Sequence, residues 1–394
     1  MFKRIIVLMF AVLLVSLCAT QAASPSPSSD SRWGHQLSME LRPNYIGVQH
    51  YYYSPENNPD GRGLSVALSA HVRYAFTLPA DSTLGRLFPS TYHGVGVGVY
   101  EMFMPRSVGH PMVAYILQGG DIADVAPRLS LGYEWNLGCS WGWVANEAIS
   151  TRWNVYINIA LPLRWRVNNH WELTLTPDYT HFSNGDMRFS NSGANAVGLR
   201  LGASYHFSGE DVAAPAGMAY LRASEEVASK GWRKRLTTDV VLHAGCRGDR
   251  TIEEENIYII DKPLILAGIQ LTTLYQLNRY FSLGGSVDVL VDRSANLYNF
   301  VEDDAGNILS YDVPSLAEQT SAGVSLHGEI RHTFMALGIG VGCNFNLRGE
   351  DLSPIYTLFS LKAFVTKKMF LYIGYRYNSR NYTQGLTYGI GVRI

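Results

Sequence analysis

The chain has 394 residues, a formal net charge of −1 and only 16% charged residues, with 24 Tyr, 8 Trp and 37 Gly. That balance offers no cationic surface for nucleic acid, and an aromatic- and glycine-rich chain with few charges favours strands over helices. Cysteines at positions 18, 139, 246 and 343 are too scattered for a disulfide framework or a zinc site. No metal and no cofactor is expected.

At the N-terminus, Lys3 and Arg4 precede an apolar run from Ile5 to Leu17, followed by small residues up to Ala22 and Ala23. A basic start, a short apolar run and a small-residue end describe a secretory signal peptide, assigned to residues 1–23. Ser24 to Ser31 is Ser/Pro-rich and is expected to be disordered. No later stretch is long and apolar enough for a transmembrane helix.

Alternation then dominates. Val155, Ile157, Ile159, Leu161, Leu163 and Trp165 form one apolar row against Asn154, Tyr156, Asn158, Arg164 and Arg166. The row Trp171, Leu173, Leu175, Pro177, Tyr179 faces Glu172, Thr174, Thr176, Asp178 and Thr180. Further rows run from Ile265 to Tyr275 and from Phe281 to Val291. Period two means strands with one apolar face. Lengths of about ten residues with aromatics near the ends fit strands that cross a membrane at a tilt. Short turns at Val167 to His170, Asn278-Arg279, His332-Thr333 and Thr366 to Lys368 alternate with long polar segments such as Asp292 to Glu318. Short turns on the periplasmic side and long loops outside are the outer-membrane pattern.

The chain also reads as duplicated. Asn195 to Phe207 aligns without a gap with Tyr382 to Ile394, pairing Gly198 with Gly385 and Gly202 with Gly389. Between the copies, Ser208 to Arg235 shows no alternation. A single continuous barrel would need only a tight turn there. The expected fold class is therefore all-β, an antiparallel transmembrane β-barrel arranged as two tandem eight-stranded barrels, with one sixteen-stranded barrel as the alternative. The domains are a first barrel over 33–207, a periplasmic linker over 208–235 and a second barrel over 236–394. Both closing strands resemble the C-terminal signal that outer-membrane barrels present to the barrel-assembly machinery, a resemblance that implies this machinery as a partner.

His181 and Ser183 continue the apolar row beyond Tyr179. They share a strand face, so imidazole and hydroxyl are neighbours. Imidazole can take the serine proton and make the hydroxyl a nucleophile for acyl transfer. Asn184 and the amide of Gly185 can supply oxyanion donors. The bland alternative is a strand-end His and Ser that only make interfacial hydrogen bonds. The strand itself offers no group on that face to orient the base. Gly94-Val-Gly-Val-Gly-Val99 lacks a following helix signal and is not a nucleotide loop. His206 and Glu134, with Arg128 on the parity of Glu134, are expected inside the lumen as hydrogen-bonding and charge-network groups.

His181-Phe-Ser-Asn-Gly185, then Asn191-Ser-Gly193 and Asn195-Ala-Val-Gly-Leu199, resembles the signature of the outer-membrane lipid A 3-O-deacylases. The resemblance is specific over Tyr179 to Phe207. It implies an eight-stranded barrel in the outer membrane of a Gram-negative bacterium, with lipid A of lipopolysaccharide in the outer leaflet as substrate. It also implies a base at His181, a nucleophile at Ser183 and an oxyanion role for Asn184. Family members with a defined triad place Glu twelve positions after the Ser; here Asn195 stands there. An amide can fix the imidazole tautomer but cannot stabilise imidazolium by charge. Asp186 is a substitute candidate, its alternative being a solvated loop carboxylate. In the second copy His181 corresponds to Tyr377, Asn184 to Arg380 and Ser183 to Ser379. Tyrosine is a poor base at neutral pH, so the second half reads as a degenerate copy. The rival functions are a non-catalytic scaffold or lipid-binding barrel and a diffusion porin.

Overall fold

The computed structural model describes residues 33–394 except 48–49, 80–81, 89, 189–190, 208–234, 254–255, 305–307, 347–353 and 379–382. The proposed signal peptide, nearly all of the proposed linker, and the comparison positions Ser379 and Arg380 lie outside the described residues.

The first unit comprises β1 (Gly34–Ile46), β2 (Val66–Thr77), β3 (Tyr92–Glu101), β4 (Gly109–Ala126), β5 (Leu129–Trp143), β6 (Trp153–Ala160), β7 (Leu163–Arg166), β8 (Trp171–Ser183) and β9 (Ala194–His206). Each strand pairs antiparallel with the next, β6 and β7 share one lane between β5 and β8, and β9 returns to β1. Gln36 lies opposite His206, and the Phe207 N–H donates to the His35 carbonyl at 2.9 Å. The barrel thus closes on its own before residue 208. This closure excludes the sixteen-stranded alternative.

The row from Val155 to Trp165 is not one unbroken strand. It breaks at Leu161-Pro162, opposite Pro177 of β8. Neither proline carries an N–H for the ladder, so the break falls where the hydrogen bonds would be missing anyway.

A second closed barrel runs β10 (Leu236–Glu253), β11 (Asn256–Gln276), β12 (Phe281–Asp292), β15 (Thr320–His332), β16 (Met335–Asn346), β17 (Ile355–Phe364), β18 (Met369–Asn378) and β19 (Thr383–Arg393). The long segment after Asp292 is not wholly irregular. It folds into a hairpin of β13 (Tyr298–Glu302) and β14 (Ile308–Asp312).

Strand alternation sorts side chains into two environments. Outward residues are exposed and apolar, including Val97, Ile159, Leu175 and Leu201 in the first barrel and Ile265, Leu326 and Ile339 in the second. An apolar wall of this extent needs lipid rather than water. Inward residues are charged and paired. Glu134 is held by Arg73 and Arg200, both at 2.6 Å, and Glu40 by Arg42 at 2.6 Å, by Arg200 at 3.2 Å and by Arg73. The Tyr92 hydroxyl donates to Glu134 at 2.7 Å. A cavity of about 20 Å³ lies beside this network, so the charged side chains fill this part of the first lumen. Arg128 stands apart from it. It sits at a positive φ of 65° in the turn before β5 and donates to the Val167 carbonyl, so its matching parity does not carry it into the lumen. His206 does face Glu172, at 3.7 Å. In the second barrel Lys362 and Arg393 bridge Asp239 and Glu329.

Loops cover the end of the first barrel at which β8 terminates. Tyr53 is buried with Trp143, Phe182 and Ala194. Asp60 fastens its loop to the β3–β4 connection by accepting from the Ser107 amide at 2.7 Å, the Ser107 hydroxyl at 2.6 Å and the Arg106 amide at 3.0 Å.

Candidate active site on the outer rim of the first barrel

The last residues of β8 carry the site. Phe182 turns inward and is buried against Tyr100, Trp143 and Tyr156, which leaves His181 and Ser183 on the outward face. Registry then selects the third residue. His181 lies directly opposite Asn195 on β9, and the His181 Nδ1 is 2.6 Å from the Asn195 amide oxygen. The Tyr179 hydroxyl, one outward position earlier on β8, donates to the same oxygen at 2.6 Å. With Nδ1 as the donor, Nε2 is left as the basic nitrogen. Asn195 was legible as the position of the family acid. Tyr179 was not singled out as a site residue, although a polar tip two residues before His181 on the same face is a readable signal.

Ser183 is nearly buried, at 9% exposure, and lies opposite Val155 of β6. Among the described residues no hydrogen bond joins Ser183 to His181. The backbone behind the imidazole is crowded. At Gly193, where φ is +68°, a Cβ would stand 2.6 Å from the Phe182 carbonyl and 3.5 Å from the His181 ring. Only glycine meets both demands.

The chain leaves Ser183 through a tight turn. Gly185 and Asp186 both have positive φ, 65° and 59°, and the Met187 N–H donates to the Asn184 carbonyl at 3.4 Å. Two successive positive φ values define a type I′ turn, which Gly and Asp tolerate. Asn184 is fully buried. Its side-chain nitrogen donates to Ser150 Oγ at 3.1 Å and the Arg188 carbonyl at 2.7 Å. Its backbone N–H donates to Asn191 Oδ1 at 2.9 Å. Asp186 is neither a solvated carboxylate nor a partner of the imidazole. It accepts from the Asn191 side chain at 2.8 Å and from the Tyr375 hydroxyl of the second barrel at 2.9 Å.

The structure therefore brings together His181, Asn195 and Tyr179, sets Ser183 on the same face, and commits Asn184 and Asp186 to the loop. A base with a fixed tautomer on the same strand face as a hydroxyl is suited to acyl transfer. Among the described residues no cluster of ligating side chains could hold a metal ion.

Residues 135–204 match the model of a family described as lipid A 3-O-deacylase (PagL), and residues 237–394 match one described as acyloxyacyl hydrolase, C-terminal domain. No curated protein matches the chain. Among solved structures, Neisserial surface protein A is similar at 9% identity over 43% of this chain and 96% of its own, with a TM-score of 0.29. The Pseudomonas putida toluene transporter TodX is similar at 8% identity over 93% of this chain and 88% of its own, with a TM-score of 0.18. The NanC porin is similar at 7% identity over 90% and 98%, with a TM-score of 0.16.

Proposed function

We propose that this chain, a member of the PagL-like family, is an outer-membrane serine esterase that removes an ester-linked acyl chain from lipid A or a related outer-leaflet glycolipid of a Gram-negative bacterium. The observation that carries the reading is the 2.6 Å contact of His181 Nδ1 with Asn195, on the face that also bears Ser183. Strand parity and the polarity of the loops support a position for that face at the outer edge of the lipid band, where the acyl esters of an outer-leaflet glycolipid lie.

His181 Nε2 takes the Ser183 proton as Oγ attacks the ester carbonyl. The tetrahedral oxyanion is stabilised by amides of the turn at Asn184 and Gly185. Because the Asn184 N–H is held by Asn191 Oδ1, the substrate oxygen replaces that acceptor as it arrives. Collapse of the intermediate breaks the ester C–O bond, and His181 returns the proton to the departing sugar oxygen. Water, deprotonated by His181, then cleaves the acyl-enzyme, releasing a fatty acid and restoring Ser183. Asn195 and Tyr179 hold the ring. The second half serves as a structural or lipid-binding barrel. The closing strands Arg200 to Phe207 and Thr387 to Ile394 are what the barrel-assembly machinery reads.

One observation favours a second reading, a non-catalytic scaffold: Asn195 carries no charge, and His181 and Ser183 are not hydrogen-bonded to each other. Catalytic hydrogen bonds commonly tighten only once substrate is bound, so the esterase reading is preferred. A serine-reactive lipid ester probe separates the two. The esterase labels at Ser183 and loses labelling in His181→Ala. A folded wild-type protein that stays unlabelled is a scaffold.

A further inference from the structure

The two barrels touch at both ends. On the periplasmic side, Thr91 meets His332 at 3.0 Å and Thr333 meets His93 at 2.8 Å, with the His93 and Phe334 rings 4.1 Å apart. On the outer side, the contact falls on the turn that follows Ser183. The Leu386 N–H donates to the Gly185 carbonyl at 3.2 Å, and the Gly248 N–H donates to the Asp186 carbonyl at 3.0 Å. A Cβ at Gly185 would stand 3.1 Å from the Leu386 Cβ, so the second barrel also closes the space over this glycine.

These contacts continue into the loop as a chain of hydrogen bonds. The Tyr375 hydroxyl donates to one oxygen of Asp186, the other oxygen accepts from Asn191 Nδ2, and Asn191 Oδ1 accepts from the N–H of Asn184. The orientation of Asn191 is set by its neighbours, since one end must accept from an amide and the other must donate to a carboxylate. The chain thus ends at the amide directly after the nucleophile.

We propose that the second barrel is a positioning element for the site of the first: Tyr375, bonded to Asp186, holds the turn whose amides receive the substrate oxygen, and the Asn191 link to the Asn184 amide is given up only when that oxygen arrives. The inference rests on the esterase reading above. It gives the half that lacks the base a defined part in the reaction, although Tyr375 touches no reacting atom. It also explains the occupation of Asp186 by a residue 189 positions away in sequence.

The test uses the full chain, folded in vesicles containing lipid A. Tyr375→Phe removes only a hydroxyl on the outer surface of the second barrel, and Asp186→Ala removes the next link. Each is expected to lower kcat about tenfold, as loss of a hydrogen bond to a charged group does, with KM and the folded-barrel gel mobility unchanged. The double variant is expected to be no slower than Asp186→Ala alone, because both changes cut one chain. Wild-type kcat in Tyr375→Phe, or losses that multiply in the double variant, would overturn the proposal. Failure of the esterase reading is distinguishable, since wild type itself would then release no fatty acid. In that event hydrogen exchange at the Asn184 amide decides whether the second barrel braces the loop. Faster exchange in Tyr375→Phe supports the bracing, and unchanged exchange overturns it.

Discussion

Replacing Asn195 with aspartate probes the weakest part of the site. The two side chains have the same shape, so Asn195→Asp keeps the 2.6 Å contact with His181 Nδ1 and the bond from Tyr179. What changes is charge, and it matters only when His181 holds the serine proton. Opposite unit charges about 4 Å apart attract by about 4 kcal/mol at an effective dielectric of ~20. Desolvating a new carboxylate at the rim takes back part of this. A nearby opposite charge typically leaves one to two pK units of net stabilisation, about 1.4–2.8 kcal/mol. Because the imidazolium forms on the way to the transition state, the aspartate variant should raise kcat about ten- to a hundredfold. The assay is the initial rate of fatty acid release from lipid A in detergent, at saturating and at low substrate. A folded Asn195→Asp protein no faster than wild type would refute the assignment of Asn195 as the group that orients the base.

Two further outcomes follow from the same geometry. Glu134→Gln leaves Arg73 and Arg200 short of a buried counter-charge and should destabilise the first barrel by about 3–5 kcal/mol, read as a lower urea midpoint in gel-mobility unfolding with the second barrel unchanged. In the outer loop, burial raises the Asp60 pKa, but the bonds from Ser107 and Arg106 outweigh it and hold the carboxyl below its usual range. A depressed carboxyl contributes stability above its unfolded pKa of about 3.9 and loses it as pH falls through the folded value. Protease protection of the loop should therefore persist below pH ~4 in wild type and be lost at neutral pH in Asp60→Ala. Loss of protection in wild type at the ordinary carboxylate pKa would contradict this.

Much of the fold around the candidate site was legible because period two is a strong signal. The parity of β8 put His181 and Ser183 on the face opposite Phe182, and the duplication with its non-alternating gap pointed to two barrels. Other features depended on information that alternation does not carry. The break at Leu161-Pro162 keeps the apolar parity on both sides, so only the paired prolines across the ladder reveal it. Arg128 shares parity with Glu134, but a positive φ in a turn takes it out of the strand's alternation. Asp186 looked like an ordinary loop carboxylate because its partner, Tyr375, lies in the other barrel. Contacts between two closed barrels leave no periodic trace in the sequence.

Serine catalysis at the rim is read most plainly from the acylation of lipid A, measured by mass spectrometry, from Gram-negative cells expressing wild type, Ser183→Ala or His181→Ala. Wild type should yield lipid A lighter by one ester-linked acyl chain, and both variants should leave that chain in place. The same acylation pattern from wild type and both variants, all folded in the outer membrane, would contradict serine catalysis.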